Sequence, residues 1–144
     1  MASLSDRVAS LGGVGHLRPA PGTWGSAVVL PFAWAGPWAC LAVSVLCLVL
    51  GFWALRDRTD DPGWVVVDEG AGQALALAAV PAVAGLGFLA WVLGAFALFR
   101  LFDIAKPGPI GWIDRQPGAL GVMGDDMLAG AFAAIVLICA RIFL

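Results

Sequence analysis

Charged residues, histidine and paired cysteines are all scarce in this chain, and each shortage excludes a class of protein. Only 12% of the 144 residues are charged and 61% are hydrophobic, which is typical of membrane proteins and not of soluble domains. One histidine and three cysteines without a CxxC pair argue against a zinc site or a disulfide framework. The formal net charge of −2, without a basic tail, argues against a nucleic-acid partner. The first fifteen residues lack the apolar core of a signal peptide.

Three apolar runs dominate what is present, at residues 27–55, 70–99 and 127–144. A helical membrane crossing needs about 20 residues, so the first two runs are longer than one crossing and shorter than two. Both are interrupted by turn-forming residues, at Gly36-Pro37 in the first run and at Pro81 in the second. Seven tryptophans also suit the aromatic belt of a membrane protein.

Two topologies fit these runs. If each long run crosses once, the polar segments 12–26 and 103–126 share one side and segment 56–69 lies on the other. If each run folds back at its break, all three segments share one side, together with seven of the eight basic residues. Such an asymmetry is expected of cytoplasmic loops, and it favours the second topology. The sequence therefore predicts one domain over residues 1–144, an all-α, compact polytopic membrane helical bundle with short, Pro/Gly-broken or re-entrant helices.

Acidic residues stand at the ends of the apolar runs: Asp68 and Glu69, then Asp103, then Asp125 and Asp126. Carboxylates at the edge of the hydrocarbon layer are costly, so their positions indicate a function. Oxygen ligands without histidine or cysteine suit Mg²⁺. The structural alternative is that adjacent acids only complement a helix dipole. Because neighbouring helical positions point about 100° apart, Asp125 and Asp126 cannot both face one ligand without a bend or a second metal, and one of them could be a cap.

The Pro/Gly-rich loop before the first apolar run contains four candidate phosphate ligands: His16, Arg18, Thr23 and Ser26. Backbone N–H groups and hydroxyls at a helix start favour an anion such as phosphate. In the alternative interpretation this is an interfacial loop in which Thr23 or Ser26 only caps the helix.

Two further cations flank Asp103. Arg100 lies three residues before it, on the same helical face, so the two side chains could form a simple structural pair. Pro107 disfavours helix at Lys106, which predicts that the helix ends there and leaves the ammonium free to reach outward. A carboxylate beside two cations at a helix end suits a joint metal and phosphate site.

Taken together, these motifs resemble the phosphatidylglycerophosphatase A family, over roughly residues 12–140. The resemblance is carried by Ala20-Pro21-Gly22-Thr23-Trp24-Gly25-Ser26, by Asp68-Glu69 with Gly72, by Phe99-Arg100 with Asp103, Lys106-Pro107 and Pro109-Ile110, and by Gly121-Val122-Met123 with Asp125-Asp126 and Ala129-Gly130. It implies a bacterial inner-membrane, Mg²⁺-dependent enzyme of phosphatidylglycerol biosynthesis, with its site facing the cytoplasm. The implied substrate is the lipid phosphatidylglycerophosphate, which is hydrolysed to phosphatidylglycerol and inorganic phosphate.

Joined with the residue chemistry, the resemblance predicts roles for the polar residues. The metal ligands would be Asp68, Glu69, Asp103, Asp125 and Asp126, and the catalytic residues Glu69, Asp103, Asp125 and Lys106. Glu69 or Asp125 would orient the attacking water, and Lys106, Arg100 and the amides of residues 22–26 would balance charge on the phosphate. Attack by an aspartate is the rival chemistry. A cation or proton transporter is the alternative function, but it would place acids in the middle of apolar runs. The oligomeric state stays open.

Overall fold

A computed structural model describes residues 3–143, and every regular element within that range is helical. In chain order the α-helices are α1 (Leu4–Ala9), α2 (Pro21–Ala27), α3 (Pro37–Leu55), α4 (Val67–Leu77), α5 (Gly85–Ala105), α6 (Pro109–Asp114) and α7 (Ala119–Phe143), with 3₁₀ turns at Val14–His16 and Leu30–Ala35. Of these, α3, α5 and α7 are long and apolar enough to cross a membrane. The all-α prediction is confirmed.

The first apolar run folds back at Gly36. This glycine has a φ of +94°, which a side chain would disfavour, and Pro37 begins α3 at a position where no backbone N–H is needed. Gly36 lines a cavity at the far end of the bundle together with Pro81. The α3 helix then returns, and its last residue, Leu55, packs with Ala9 and Met123 at the end where α2 began.

The second run folds back in the same way, through residues 78–84 between α4 and α5. Asp68 in the first turn of α4 and Asp103 in the last turn of α5 both lie close to Asp126. The start of α4 and the end of α5 therefore share one end of the bundle, as the fold-back topology predicts. The two helices joined at each fold-back differ in length, however. The first of each pair, α2 or α4, is short, whereas α3 and α5 have 19 and 21 residues.

The short helix α4 lies at the centre of the bundle, in contact with α2, α3, α5 and α7. It passes close to α7 because Gly72 and Gly130 face each other at the crossing. A Cβ on Gly72 would overlap the carbonyl oxygen of Asp126 and would lie 2.6 Å from Cε2 of Phe99. This close backbone approach brings the first turn of α4 beside Asp126.

One sequence-based boundary is wrong. Asp125 and Asp126 were expected to open the last helix, but α7 begins at Ala119, so both lie inside the helix and neither is its N-cap. Residues 119–124, which include two glycines, are helical because they pack against α6, where Ile113 would lie 2.7 Å from a Cβ on Gly124. Tertiary packing here overrides the weak helix propensity of glycine.

Candidate active site

Five carboxylates from three helices meet at the end of the bundle where α4 begins and α5 ends. They form two groups of three, Asp68 with Glu69 and Asp126, and Asp103 with Asp125 and Asp126. In each group every residue offers an oxygen within 4.8 Å of the other two, and Asp126 belongs to both. The structure therefore places these residues, which come from distant parts of the chain, close together.

Several oxygens of this cluster are buried without a hydrogen-bond partner among residues 3–143. They are Oδ1 of Asp68, Oε2 of Glu69 and Oδ1 of Asp126, and the Asp126 side chain is almost fully enclosed. An isolated buried carboxylate costs several kcal/mol, so buried charges are normally paired or coordinate a metal. The donors of both groups are oxygen atoms only, which is the ligand set that Mg²⁺ prefers. These residues therefore fit a divalent cation.

Two basic side chains border the carboxylates. Arg100 Nη1 lies 2.5 Å from Asp103 Oδ2, which confirms that the two share a helical face. Lys106 Nζ donates to Asp125 Oδ2 at 2.7 Å and also contacts Asp114 Oδ1. The α5 helix ends at Lys106, as the following proline predicts. The ammonium is not free to reach outward, however, because Asp125 and Asp114 hold it at the cluster. Cations next to this carboxylate cluster would attract an oxyanion such as phosphate.

Asp114 in α6 is a site residue that the sequence reasoning missed, because its spacing from Lys106 gives no sign that the two side chains meet. Burial alone would lower the pKa of Lys106, but its hydrogen bonds to Asp114 and Asp125 outweigh burial and raise that pKa above its ordinary value. The hydrogen bond from Lys106 in turn lowers the pKa of Asp114. The pair is therefore ionised on both sides, and Asp114 holds the ammonium beside Asp125.

The start of α2 also reaches the cluster. A Cβ on Gly22 would overlap Oε1 of Glu69 and would lie 3.1 Å from Nη1 of Arg100. Thr23 follows in the same first turn and is half-buried. The predicted phosphate-binding loop is thus adjacent to the carboxylates at this one point.

The other predicted phosphate ligands in that loop lie elsewhere. Ser26 is fully buried, and its hydroxyl donates to the carbonyl oxygen of Gly22 at 2.9 Å, so it serves its own helix. The ring of His16 stacks on Trp64 with centroids 5.7 Å apart. Arg18 is exposed and forms no ion pair with another side chain of residues 3–143. These three side chains therefore do not reach the cluster. Local contacts hold Ser26 and His16, and Arg18 is exposed.

Gln73 lies one helical turn beyond Glu69, on the same face of α4, as its spacing predicts. It is fully buried, and in the described part of the chain neither its amide nitrogen nor its amide oxygen has a hydrogen-bond partner. The polar interior of the site therefore extends one turn deeper into the bundle than the carboxylates.

Comparisons with known proteins agree on one family. A family model described as phosphatidylglycerophosphatase A matches residues 7–141. The chain is 39% identical over 135 residues to a phosphatidylglycerophosphatase A of Haemophilus influenzae, and this match covers 86% of this chain and 80% of that protein. It is 33% identical over 127 residues to a phosphatidylglycerophosphatase A of Escherichia coli K12, covering 81% and 72% respectively.

A further relative carries a different substrate in its name. The chain is 38% identical over 143 residues to a Bacteroides thetaiotaomicron protein named "Putative phosphatidylinositol-3-phosphatase", covering 90% of this chain and 88% of that protein. Both kinds of name describe phosphatases that act on a phosphorylated lipid headgroup. No solved structure matches the chain.

Proposed function

This chain belongs to the phosphatidylglycerophosphatase A family, and we therefore propose that it hydrolyses phosphatidylglycerophosphate to phosphatidylglycerol and inorganic phosphate in a Mg²⁺-dependent reaction. Family membership makes it a phosphatase, which decides between hydrolysis and the ion transport that the sequence left as an alternative. In this role the enzyme would complete the synthesis of phosphatidylglycerol.

The observation that carries the proposal is the convergence of five carboxylates and two cations at one end of an apolar bundle. A terminal phosphate monoester carries two negative charges and would be repelled by bare carboxylates. Bound at Asp68, Glu69, Asp103, Asp125 and Asp126, Mg²⁺ would neutralise this charge and lower the pKa of an attacking water.

The side chains would divide the remaining work. Glu69 is the favoured base, because no basic side chain within residues 3–143 forms an ion pair with its carboxylate, whereas Asp125 already accepts a hydrogen bond from Lys106. Glu69 would orient the water for in-line attack and take its proton. Arg100 and Lys106 would stabilise negative charge on the phosphoryl oxygens. Because its hydrogen bonds raise the pKa of Lys106, this residue would keep its proton and act through its charge.

The position of the cluster supports a lipid substrate. The three long helices expose large apolar side chains over much of their length, such as Val49, Leu93 and Ile135, as expected for surfaces that face lipid. The carboxylates lie toward one end of those helices, where we expect the lipid headgroup to sit. Most basic residues lie at the same end, so we expect it to face the cytoplasm, at the inner membrane of a bacterium.

Phosphate release from phosphatidylglycerophosphate in detergent micelles tests the proposal, with Mg²⁺ and after its removal with EDTA. We expect release only with Mg²⁺, and its loss in Asp103→Asn and Asp126→Asn. Asp57→Asn is the matched control, since Asp57 is an exposed carboxylate at the same end that, within residues 3–143, pairs only with Arg56. Near-normal turnover in both site variants would show that this cluster is not the reaction centre.

The same assay should include phosphatidylinositol 3-phosphate and phosphatidic acid, because the Bacteroides relative is named for a phosphoinositide. We expect kcat/KM to be highest for phosphatidylglycerophosphate. A clear preference for phosphatidylinositol 3-phosphate would leave the reaction class unchanged and replace the substrate.

A further inference from the structure

We propose that the carboxylate cluster binds two divalent cations, one at Asp68, Glu69 and Asp126 and one at Asp103, Asp125 and Asp126, with Asp126 shared between them. This inference rests on the proposed function, since it divides the same cluster into two sites. It goes further by fixing the number of ions, which residue bridges them, and which of the two binds more tightly.

The geometry separates the two groups. Trans ligands around Mg²⁺ lie about 4 Å apart, twice a metal–oxygen bond, so each group, with its oxygens within 4.8 Å of one another, needs only a small contraction to surround one ion. The groups share Asp126 alone and do not merge into a single set of five. A single ion placed within either group would therefore leave two of the five carboxylates outside its set of ligands, whereas two neighbouring ions bridged by Asp126 would use all five. Phosphoryl-transfer sites with two metals use ions about 4 Å apart.

Buried oxygens without partners point independently to ligands. Asp68 and Asp126 are only 8% and 2% exposed, and the Oδ1 atom of each makes no hydrogen bond to any residue that the structure describes. Oε2 of Glu69, which completes their group, is likewise buried and without a partner. Within residues 3–143, no basic side chain forms an ion pair with any member of this group.

The second group differs in its charge balance. Asp103 is paired with Arg100 at 2.5 Å, and Asp125 with Lys106 at 2.7 Å. These cations already offset two of the three negative charges, and Lys106 competes with an incoming ion for Asp125. The first group should thus hold its ion tightly, and the second should bind its ion more weakly, as suits an ion that helps to anchor the phosphate.

Mn²⁺ titration of the full chain in detergent tests this without measuring turnover. Calorimetry should give two sites of unequal affinity, and electron paramagnetic resonance at saturation should show the broadened spectrum of two coupled Mn²⁺ ions in place of the sharp sextet of isolated Mn²⁺. Asp68→Asn should lose the tight site, Asp103→Asn should lose the weak one, and Asp126→Asn should abolish the coupling. Asp57→Asn should bind two ions. A single ion in the unmodified chain, or loss of the same site in both Asp68→Asn and Asp103→Asn, overturns the proposal.

The Lys106→Gln variant tests the division into two sites without removing a carboxylate. It should tighten the weak site several-fold and leave the tight site unchanged, because only the second group contains a partner of Lys106. Equal changes at both sites, or none, would contradict the division. The outcomes also separate the two proposals: one bound ion with intact hydrolysis of phosphatidylglycerophosphate overturns only the two-ion arrangement. Two coupled ions without such hydrolysis support it and overturn only the proposed substrate.

Discussion

A single added methyl group at Gly22 should disable the enzyme while leaving it folded. The Cβ of Gly22→Ala would overlap Oε1 of Glu69 and approach Nη1 of Arg100 at 3.1 Å. Carbon and oxygen atoms need a van der Waals separation, so the carboxylate must move by about 1 Å. The backbone itself need not move, because the overlapping atom is the far end of a flexible side chain.

The expected size of the effect follows from that displacement. A misplacement of about 1 Å at the reacting centre lowers the rate by about a hundredfold, which is about 2.7 kcal/mol of activation free energy. The free energy of unfolding should change by no more than about 1 kcal/mol, since alanine is the better helix former and offsets part of the strain. We thus expect a large loss of kcat, a weaker tight Mn²⁺ site and a nearly unchanged thermal transition.

The assay is steady-state phosphate release from phosphatidylglycerophosphate in micelles, with Gly63→Ala as the control. A Cβ on Gly63 meets no atom within 4 Å, so this variant carries the same chemical change at the same end of the molecule without a contact. If Gly22→Ala keeps more than half of the turnover of Gly63→Ala, Glu69 is not the base and the start of α2 is not part of the site.

Three other outcomes are expected. Asp114→Asn should lower kcat about fivefold, because a partly exposed charged pair contributes about 1 kcal/mol. Asp114→Glu should restore kcat. If Asp114→Asn lowers kcat by the same factor in a Lys106→Gln background, Asp114 does not act through Lys106. Cysteines placed at Arg58 and at Gln116 should both react with a membrane-impermeant maleimide only from the cytoplasmic side of inner-membrane vesicles, and labelling from opposite sides would refute the fold-back topology. Gly72→Val should destabilise the protein by about 1–3 kcal/mol through overpacking at the α4–α7 crossing, measured as a lower thermal midpoint, and an unchanged midpoint would contradict the close approach of those helices.

The sequence predicts the topology well because the relevant signals are local. Gly36-Pro37 breaks the first run, Pro107 ends α5 at Lys106, and the spacing of Arg100 and Asp103 sets their pairing. Each depends on residues within a few positions of one another. The asymmetry of basic residues adds the one long-range constraint needed to choose between the two topologies.

The parts that sequence reasoning missed depend on contacts between distant segments. Asp114 belongs to the site because α6 folds back over the end of α5 and places its carboxylate at Lys106, which spacing alone does not show. The early start of α7 depends on its packing against α6. Ser26 was a reasonable phosphate ligand by composition, but burial against neighbouring helices leaves its hydroxyl to bond to Gly22.

The difference in length between the short helix α4 and the long helix α5 explains how a polar site can form at the end of an apolar bundle. Lipid provides no hydrophobic force between helices, so close packing of small residues must hold α4 against α7. Gly72 and Gly130 supply that contact, and one turn from Gly72 the chain carries the carboxylates of Asp68 and Glu69 toward Asp126. Had α4 been a full crossing on the outside of the bundle, its acids would have faced lipid at a high cost. As a short central helix, it buries them among protein atoms where a cation can compensate their charge.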